Sequence, residues 1–195
     1  MKELKLIVVA GHNTYEPGAL GYDNVYEHTR TTSLQGAIRK QHRIIEMHGS
    51  VIIDAQDLGL RLLINEINAM IQTNRKFRYY GIDLHFNNNF PGATGTEGFI
   101  HPNTSRTNKK IATSIINESS DIIGIPVRRY KANRDYKYPA ESNVGTLGMI
   151  EKTQCPFFLY EACFLNNVDL PKYLPKEVEI AEMIVENYQK YLKSF

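Results

Sequence analysis

The sequence predicts an α/β layered fold: a single domain built on a mostly parallel or mixed sheet with helices on both faces. Three observations carry that reading. Short apolar runs rich in β-branched or aromatic residues end abruptly at turn residues, as buried strands do. These are Ile7-Val8-Val9, the stretch Phe77–Asn89 and Phe157-Phe158-Leu159-Tyr160. Segments of helical period lie between them, and strands alternating with helices argue for a layered sheet rather than a bundle or sandwich. The chain has 195 residues, 42% apolar and 23% charged, which suits one domain with a proper core. No repeat, low-complexity tract or composition break marks a second domain, so residues 1–195 are expected to form one domain with no appended module.

The elements follow in order. The run in Leu6–Ala10 stops at Gly11-His12, and an irregular segment containing Glu16-Pro17-Gly18 leads to Tyr26-Glu27. Leu34, Ala37, Ile38, Ile44, Ile45 and Met47 then recur at helical spacing up to a stop at Gly49. A short strand is expected at Ser50–Ile53, and a stronger helical period at Leu58–Ile71. After the strand that carries His85, residues 87–96 read as a polar Asn/Gly loop, closing on a short strand near Gly98-Phe99-Ile100. Asn108–Ile123 reads as helix, Gly124–Val127 as turn and short strand, and Arg128–Glu141 as a basic, aromatic loop beside the cleft. Val144–Lys152 is expected to hold a brief strand or turn, and Asn166–Pro175 a turn region. Lys176–Leu192 reads as an amphipathic helix with Ile180, Ile184, Val185, Tyr188 and Tyr191 inward.

Composition excludes several classes. A net charge of +2 with a pI near 8.4 is too mild to argue for nucleic acid, and it permits only a weak attraction to an anionic polymer. No segment approaches the length of a membrane span. The N-terminal apolar run is shorter than the roughly 7–15 residues of a secretory h-region. The expectation is synthesis without a signal peptide, with the protein cytoplasmic until it is released or leaves by a route other than the general secretory one. Cys155 and Cys163 flank an extended stretch, which places them about 26 Å apart at ~3.3 Å per residue. Two free thiols are therefore expected.

The candidate chemistry sits where the strands stop. In open α/β sheets, ligands lie beyond the carboxyl ends of the strands. His12 and Glu27 follow the first strand, His85 ends the second run, and Glu161 follows Tyr160 in the third. Two imidazoles plus one carboxylate, with a position left for water, make a known catalytic zinc set, and the remaining glutamate would move protons.

With these residues in view, the chain resembles the zinc-dependent N-acetylmuramoyl-L-alanine amidases of the amidase-3 type. The resemblance rests on Gly11-His12, Glu16-Pro17-Gly18-Ala19 and Glu27, on Asp83-Leu84-His85-Phe86-Asn87, on Gly95-Thr96-Glu97-Gly98-Phe99, and on Tyr160-Glu161-Ala162-Cys163-Phe164-Leu165-Asn166-Asn167. The sequence departs from the family pattern at Glu16 (usually Asp), after His12 (usually glycines), at Asp83 (usually Ser) and at Cys163 (usually Gly). The resemblance implies one zinc ion per chain, held by His12, Glu27 and His85, with Glu161 as the catalytic carboxylate acting as general base and then acid.

The implied reaction is hydrolysis, by metal-activated water, of the amide between N-acetylmuramic acid and the L-alanine of the peptidoglycan stem peptide. An endolysin-like role at lysis fits a lone catalytic domain. The rival readings are another zinc amidohydrolase or carboxypeptidase-like peptidase, and a wall-binding protein of the same fold without turnover. Asn87, Arg129 and Asn166 are candidate substrate contacts. Asp83 shares the strand face of His85, and two readings stay open for it: an outer partner of the imidazole or a solvated strand-end carboxylate. His28, His42, His48 and His101 read as surface or structural histidines, and Glu97 carries no assigned role.

Overall fold

The computed structural model describes residues 3–44, 51–53, 58–88, 91–128, 140–141 and 147–192. In chain order the elements are β1 (Glu3–Ala10), α1 (Glu27–Ile44), β2 (Val51–Ile53), α2 (Leu60–Thr73), β3 (Phe77–Asn87) and β4 (Glu97–Ile100). There follow α3 (Arg106–Ile123), β5 (Ala140–Glu141), α4 (Gly148–Lys152), β6 (Phe157–Phe164), α5 (Leu170–Tyr173) and α6 (Glu177–Leu192). The strands form one six-stranded sheet in the order β2-β1-β3-β6-β4-β5. β2, β1, β3 and β6 run parallel, β4 is antiparallel to β6, and β5 is parallel to β4. This is the mixed, mostly parallel sheet that the alternating pattern predicts.

Both faces of the sheet are covered, which explains why the central strands read as continuous apolar runs rather than alternating ones. In β1, Leu6 and Val8 enter the larger core, with Leu34 and Ile38 of α1, Ile111, Ile115 and Ile116 of α3, and Ile180, Ile184 and Tyr188 of α6. Ile7 and Val9 point the other way into a smaller core with Leu63, Ile64 and Ile67 of α2, Met149 of α4 and Phe157 of β6. Helix ends are marked in the sequence. The Ser105 hydroxyl accepts from the Asn108 N–H at the start of α3, and Gly124 ends it in the left-handed region at φ 71°.

This topology creates the site. β1 is flanked by β2 on one side and β3 on the other, and α1 and α2 cover opposite faces. The chain segments leaving β1 and β3 therefore diverge and leave a crevice at the carboxyl ends of the strands.

Three local expectations are corrected. Val144–Lys152, expected as strand or turn, contains the helix α4 over Gly148–Lys152, because Met149 finds burial against α2. Gly124–Val127 supplies one parallel bridge, Val127 to Thr96, rather than a strand. The turn region Asn166–Pro175 holds the short helix α5, stabilised by burial of Leu170 and Tyr173. Of the expected loop Arg128–Glu141, Ala140 and Glu141 form β5, whereas 129–139 lie outside the described residues. Cys155 and Cys163 are free and buried, as expected, and burial pushes the Cys155 thiol up to about 12.

Candidate active site

Glu27, the first residue of α1, is the hub of the site. It is buried, and each carboxylate oxygen accepts one side-chain and one backbone contact. Oε2 lies 3.0 Å from His12 Nε2 and accepts the Ala19 N–H at 3.1 Å. Oε1 lies 3.0 Å from His85 Nδ1 and accepts the Phe86 N–H at 3.1 Å. A carboxylate at a helix N-terminus also meets the favourable end of the helix dipole. Burial alone would raise this carboxyl, but the His12 and His85 hydrogen bonds and charges hold it far below the usual carboxylate range.

The two imidazoles arrive from different strands. His85 lies near the end of β3, and its ring meets that of His12 edge-on at 5.0 Å between centroids. Its Nε2 faces Asp83 Oδ2 at 3.4 Å. Burial would lower the pKa of His85, yet Asp83, Glu27 and Glu161 raise it well above the ordinary imidazole value. His12 sits just past β1 at φ 65°, a left-handed conformation that costs a side-chain-bearing residue roughly 1–2 kcal/mol. The flanking residues hold that turn in place. The Gly11 N–H donates to the Leu84 carbonyl at 2.8 Å, and the Asn13 side chain accepts from the N–H groups of Tyr15 and Glu16. From α1, the Thr31 hydroxyl donates to the Gly11 carbonyl at 2.9 Å and the Gln35 amide to the Val8 carbonyl at 3.1 Å.

One ligand-type atom from each of His12, Glu27 and His85 lies within 4.8 Å of the others. Two nitrogens and one carboxylate oxygen are the donors that a borderline-soft divalent ion such as zinc takes. The backbone leaves room for them. A Cβ on Gly11 would lie 2.4 Å from the Leu84 carbonyl oxygen and 2.5 Å from the His85 ring. A Cβ on Gly18, which sits at φ 75°, would lie 2.6 Å from Glu27 Oε2 and 2.7 Å from the His12 ring. The residues present fit the metal. Gly11→Ala is accordingly expected to displace the His85 ring, cost about 1–3 kcal/mol of stability and weaken metal uptake. Thermal unfolding with and without zinc checks this, and an unchanged midpoint in both would contradict it.

Glu161 lies on β6 in direct register with His85 on β3 and with Glu97 on β4. Register places all three on one face of the sheet, beside Asp83. Glu161 Oε2 is sealed from solvent without a hydrogen-bond partner among the described residues. Burial pushes its carboxyl up to about 8; His85 pulls it down, while Glu27, Glu97 and Asp83 push it further up. The native state therefore binds more protons at this position than the unfolded chain between about pH 4.5 and 8. Stability contributed there is full below pH 4.5 and lost as the pH rises, at up to ~1.4 kcal/mol per pH unit. His85, also raised, acts in the same direction, whereas Glu27, depressed, acts only at lower pH. For chelator-treated protein, urea unfolding from pH 5 to 8 should show this decline, and Glu161→Gln should flatten it. Parallel curves for the two proteins would refute the assignment.

The candidate substrate contacts separate. The Asn87 amide donates to Glu97 Oε1 at 2.6 Å, so this residue lies beside Glu161 and is held by a carboxylate. Asn166 is buried: its amide donates to the Ala93 carbonyl, and its oxygen accepts from the N–H groups of Val168 and Asp169. It therefore staples the loop before β4 to the end of β6. Arg129 lies outside the described residues, as does His48. His28 is buried with Nδ1 3.4 Å from the Gly11 carbonyl, and His101 accepts from the Asn103 N–H at the far end of β4. The residue without an assigned role, Glu97, turns out to be buried opposite Glu161 and 3.5 Å from Arg128. Its signal in the sequence is the Gly95-x-Glu97-x-Phe99 pattern. A cavity of about 300 Å³ opens beside the histidines, lined by Asp83, Asn13 and Glu16 and walled by leucines that include Leu58 and Leu63.

Known proteins share the family and the fold. The family model described as Amidase_3, N-acetylmuramoyl-L-alanine amidase, matches residues 6–191. The fold is similar to an N-acetylmuramoyl-L-alanine amidase from Clostridium difficile 630, with TM-score 0.75, 18% identity, and 100% of this chain and 99% of that one covered. It is also similar to the catalytic domain of the amidase CwlV from Bacillus (Paenibacillus) polymyxa var. colistinus, with TM-score 0.71, 19% identity and 99% of each chain covered. A third likeness is to the catalytic domain of an endolysin targeting Clostridia difficile, with TM-score 0.71, 19% identity, and 97% of this chain and 98% of that one covered. No curated protein matches the sequence.

Proposed function

Since the chain belongs to the N-acetylmuramoyl-L-alanine amidase family, we propose that it binds zinc through His12, Glu27 and His85 and uses Glu161 as its proton carrier. The peptidoglycan amide between N-acetylmuramic acid and L-alanine is the bond broken. The observation that carries the reading is the convergence of His12, Glu27 and His85 from β1, α1 and β3, with Glu161 in register beside His85.

An amide is a weak electrophile and water a weak nucleophile at neutral pH. A zinc ion supplies a Lewis acid for the carbonyl and lowers the pKa of water from 15.7 towards about 7. His12 and His85 bring neutral nitrogens and Glu27 a single negative charge, so the loaded centre keeps a net positive charge. The Ala19 and Phe86 N–H groups orient the Glu27 carboxylate. Glu161 takes the proton of the attacking water and passes a proton to the departing amine nitrogen.

Asn87 and Asn166 are read as the outer margin of the substrate site, Asn87 through Glu97 and Asn166 through the loop that it anchors, and Arg129 is proposed as a further substrate contact. The setting proposed is attack on the wall at lysis, in the manner of the endolysin whose catalytic domain this fold resembles. Among the described residues no helix is long and apolar enough to cross a membrane. The test is to incubate zinc-loaded protein with purified muropeptides and identify the products by mass spectrometry. Free stem peptides beginning with L-alanine support the reading. Release of carboxyl-terminal amino acids would make the protein a peptidase, and wall binding without new amino termini would make it a binding protein; either outcome overturns the proposal.

A further inference from the structure

Asp83 is a buried carboxylate with a partner in the structure. It lies on β3 two residues before His85, on the same face, and is 4% exposed. Its Oδ2 is 3.4 Å from His85 Nε2, while the other ring nitrogen, Nδ1, is 3.0 Å from Glu27 Oε1. The two nitrogens of His85 thus face two different carboxylates, and the one at Nδ1, Glu27, also meets His12 Nε2 at 3.0 Å. From this arrangement we infer that Asp83 is a positioning residue for the metal centre: it accepts the Nε2–H of His85, fixes the ring's tautomer and orientation, and so leaves Nδ1 as the ligand atom. The inference rests on the metal-centre reading given above.

The chemistry is that of a histidine ligand whose far nitrogen is held by an outer carboxylate. A neutral imidazole carries one N–H, and whichever nitrogen keeps it cannot ligate. Without an acceptor at Nε2, the ring divides between two tautomers and rotates more freely, and metal affinity falls. A buried carboxylate at that position selects the tautomer with the hydrogen on Nε2 and makes Nδ1 a better electron donor. A serine at position 83 would be a weaker, uncharged acceptor and would hold the His85 ring less firmly. The shape of the surroundings reinforces this. Gly11 has no Cβ to collide with the Cε1 and Nε2 atoms of His85, which leaves room at the ring edge that Asp83 approaches.

The experiment is zinc affinity, measured by competition with a chromogenic chelator, together with ¹⁵N and ¹H NMR of the His85 ring in zinc-loaded protein. Asp83→Ala and Asp83→Leu remove the acceptor, the second while filling the space, and Asp83→Asn keeps a neutral acceptor of the same shape. The expected result is a zinc affinity about 10–100-fold weaker in the two acceptor-less variants, with intermediate weakening in Asp83→Asn. Loss of the protected Nε2 proton signal of His85 accompanies it. Should Asp83→Ala fail to fold, Asp83→Leu and Asp83→Asn give the same reading. An affinity equal to the parent's in an acceptor-less variant, or an unchanged Nε2 proton signal, would overturn the inference. So would a raised KM with zinc affinity intact, which would make Asp83 a substrate contact in the adjoining cavity. A parent protein that takes up no zinc would overturn the metal-centre reading itself, a result distinguishable from the other three.

Discussion

Glu161→Gln leaves zinc uptake at the parent level and lowers turnover by about 10²–10⁴-fold, the usual contribution of a positioned acid–base group. The substitution is close to isosteric. It keeps the packing of β6 between β3 and β4, where Glu161 is in register with His85 and Glu97, and removes only the capacity to carry a proton. The Glu161 carboxyl lies near His85 as well as among Glu27, Asp83 and Glu97, and burial together with the three carboxylates outweighs the His85 attraction, so loss of its charge relieves more than it breaks. The metal-free variant should therefore be at least as stable as the parent at pH 8. Single-turnover kinetics on muropeptides, paired with zinc stoichiometry by atomic spectroscopy, separate the two effects. Hydrolysis at the parent rate would show that another group carries the proton, and loss of zinc would make Glu161 a ligand.

His85→Ala gives the opposite pattern: the metal is lost, and activity goes with it. The expected drop in zinc affinity exceeds the roughly 10–100-fold typical of removing an outer partner, because one of three donor atoms is gone. Glu27 then keeps the His12 ring and the Ala19 and Phe86 N–H groups, so the loop after β1 retains its anchor and the fold survives. Circular dichroism at the parent level with no bound zinc is the predicted signature. If the variant takes up zinc with parent affinity, His85 is not a ligand. The pair of variants is informative together, since one dissociates chemistry from metal and the other removes both.

Much of this protein was legible in one dimension. The apolar runs around Val8, Ile82 and Phe158 announce strands buried on both faces, because side chains that must meet helices on either side leave no polar alternation. His12 and His85 stand just beyond or near the ends of those runs, where a parallel sheet opens to ligands, and Glu27 stands where a helix begins, whereas Glu161 lies inside β6, which runs on to Phe164. Those positions depend on local periodicity and on short-range turn chemistry, which neighbouring residues encode. The helix at Gly148–Lys152 was not legible, since five residues carry too little period, and only burial of Met149 against α2 makes that segment helical. Nor was the role of Asn166, whose amide and oxygen are both taken by backbone from a loop 73 positions away and from its own turn.

By itself, then, the sequence determined the layered class, the order of its strands and helices, the free thiols, and which four side chains are candidates for chemistry. Only the tertiary structure decided that the sheet runs β2-β1-β3-β6-β4-β5, that Glu27 bridges both imidazoles, and that Asp83 and Glu97 stand beside them. The physical reason is range. Periodicity and capping act over a few residues, whereas strand order and the meeting of residues 12, 27, 85 and 161 follow from burying two sheet faces at once, a condition that belongs to the whole chain.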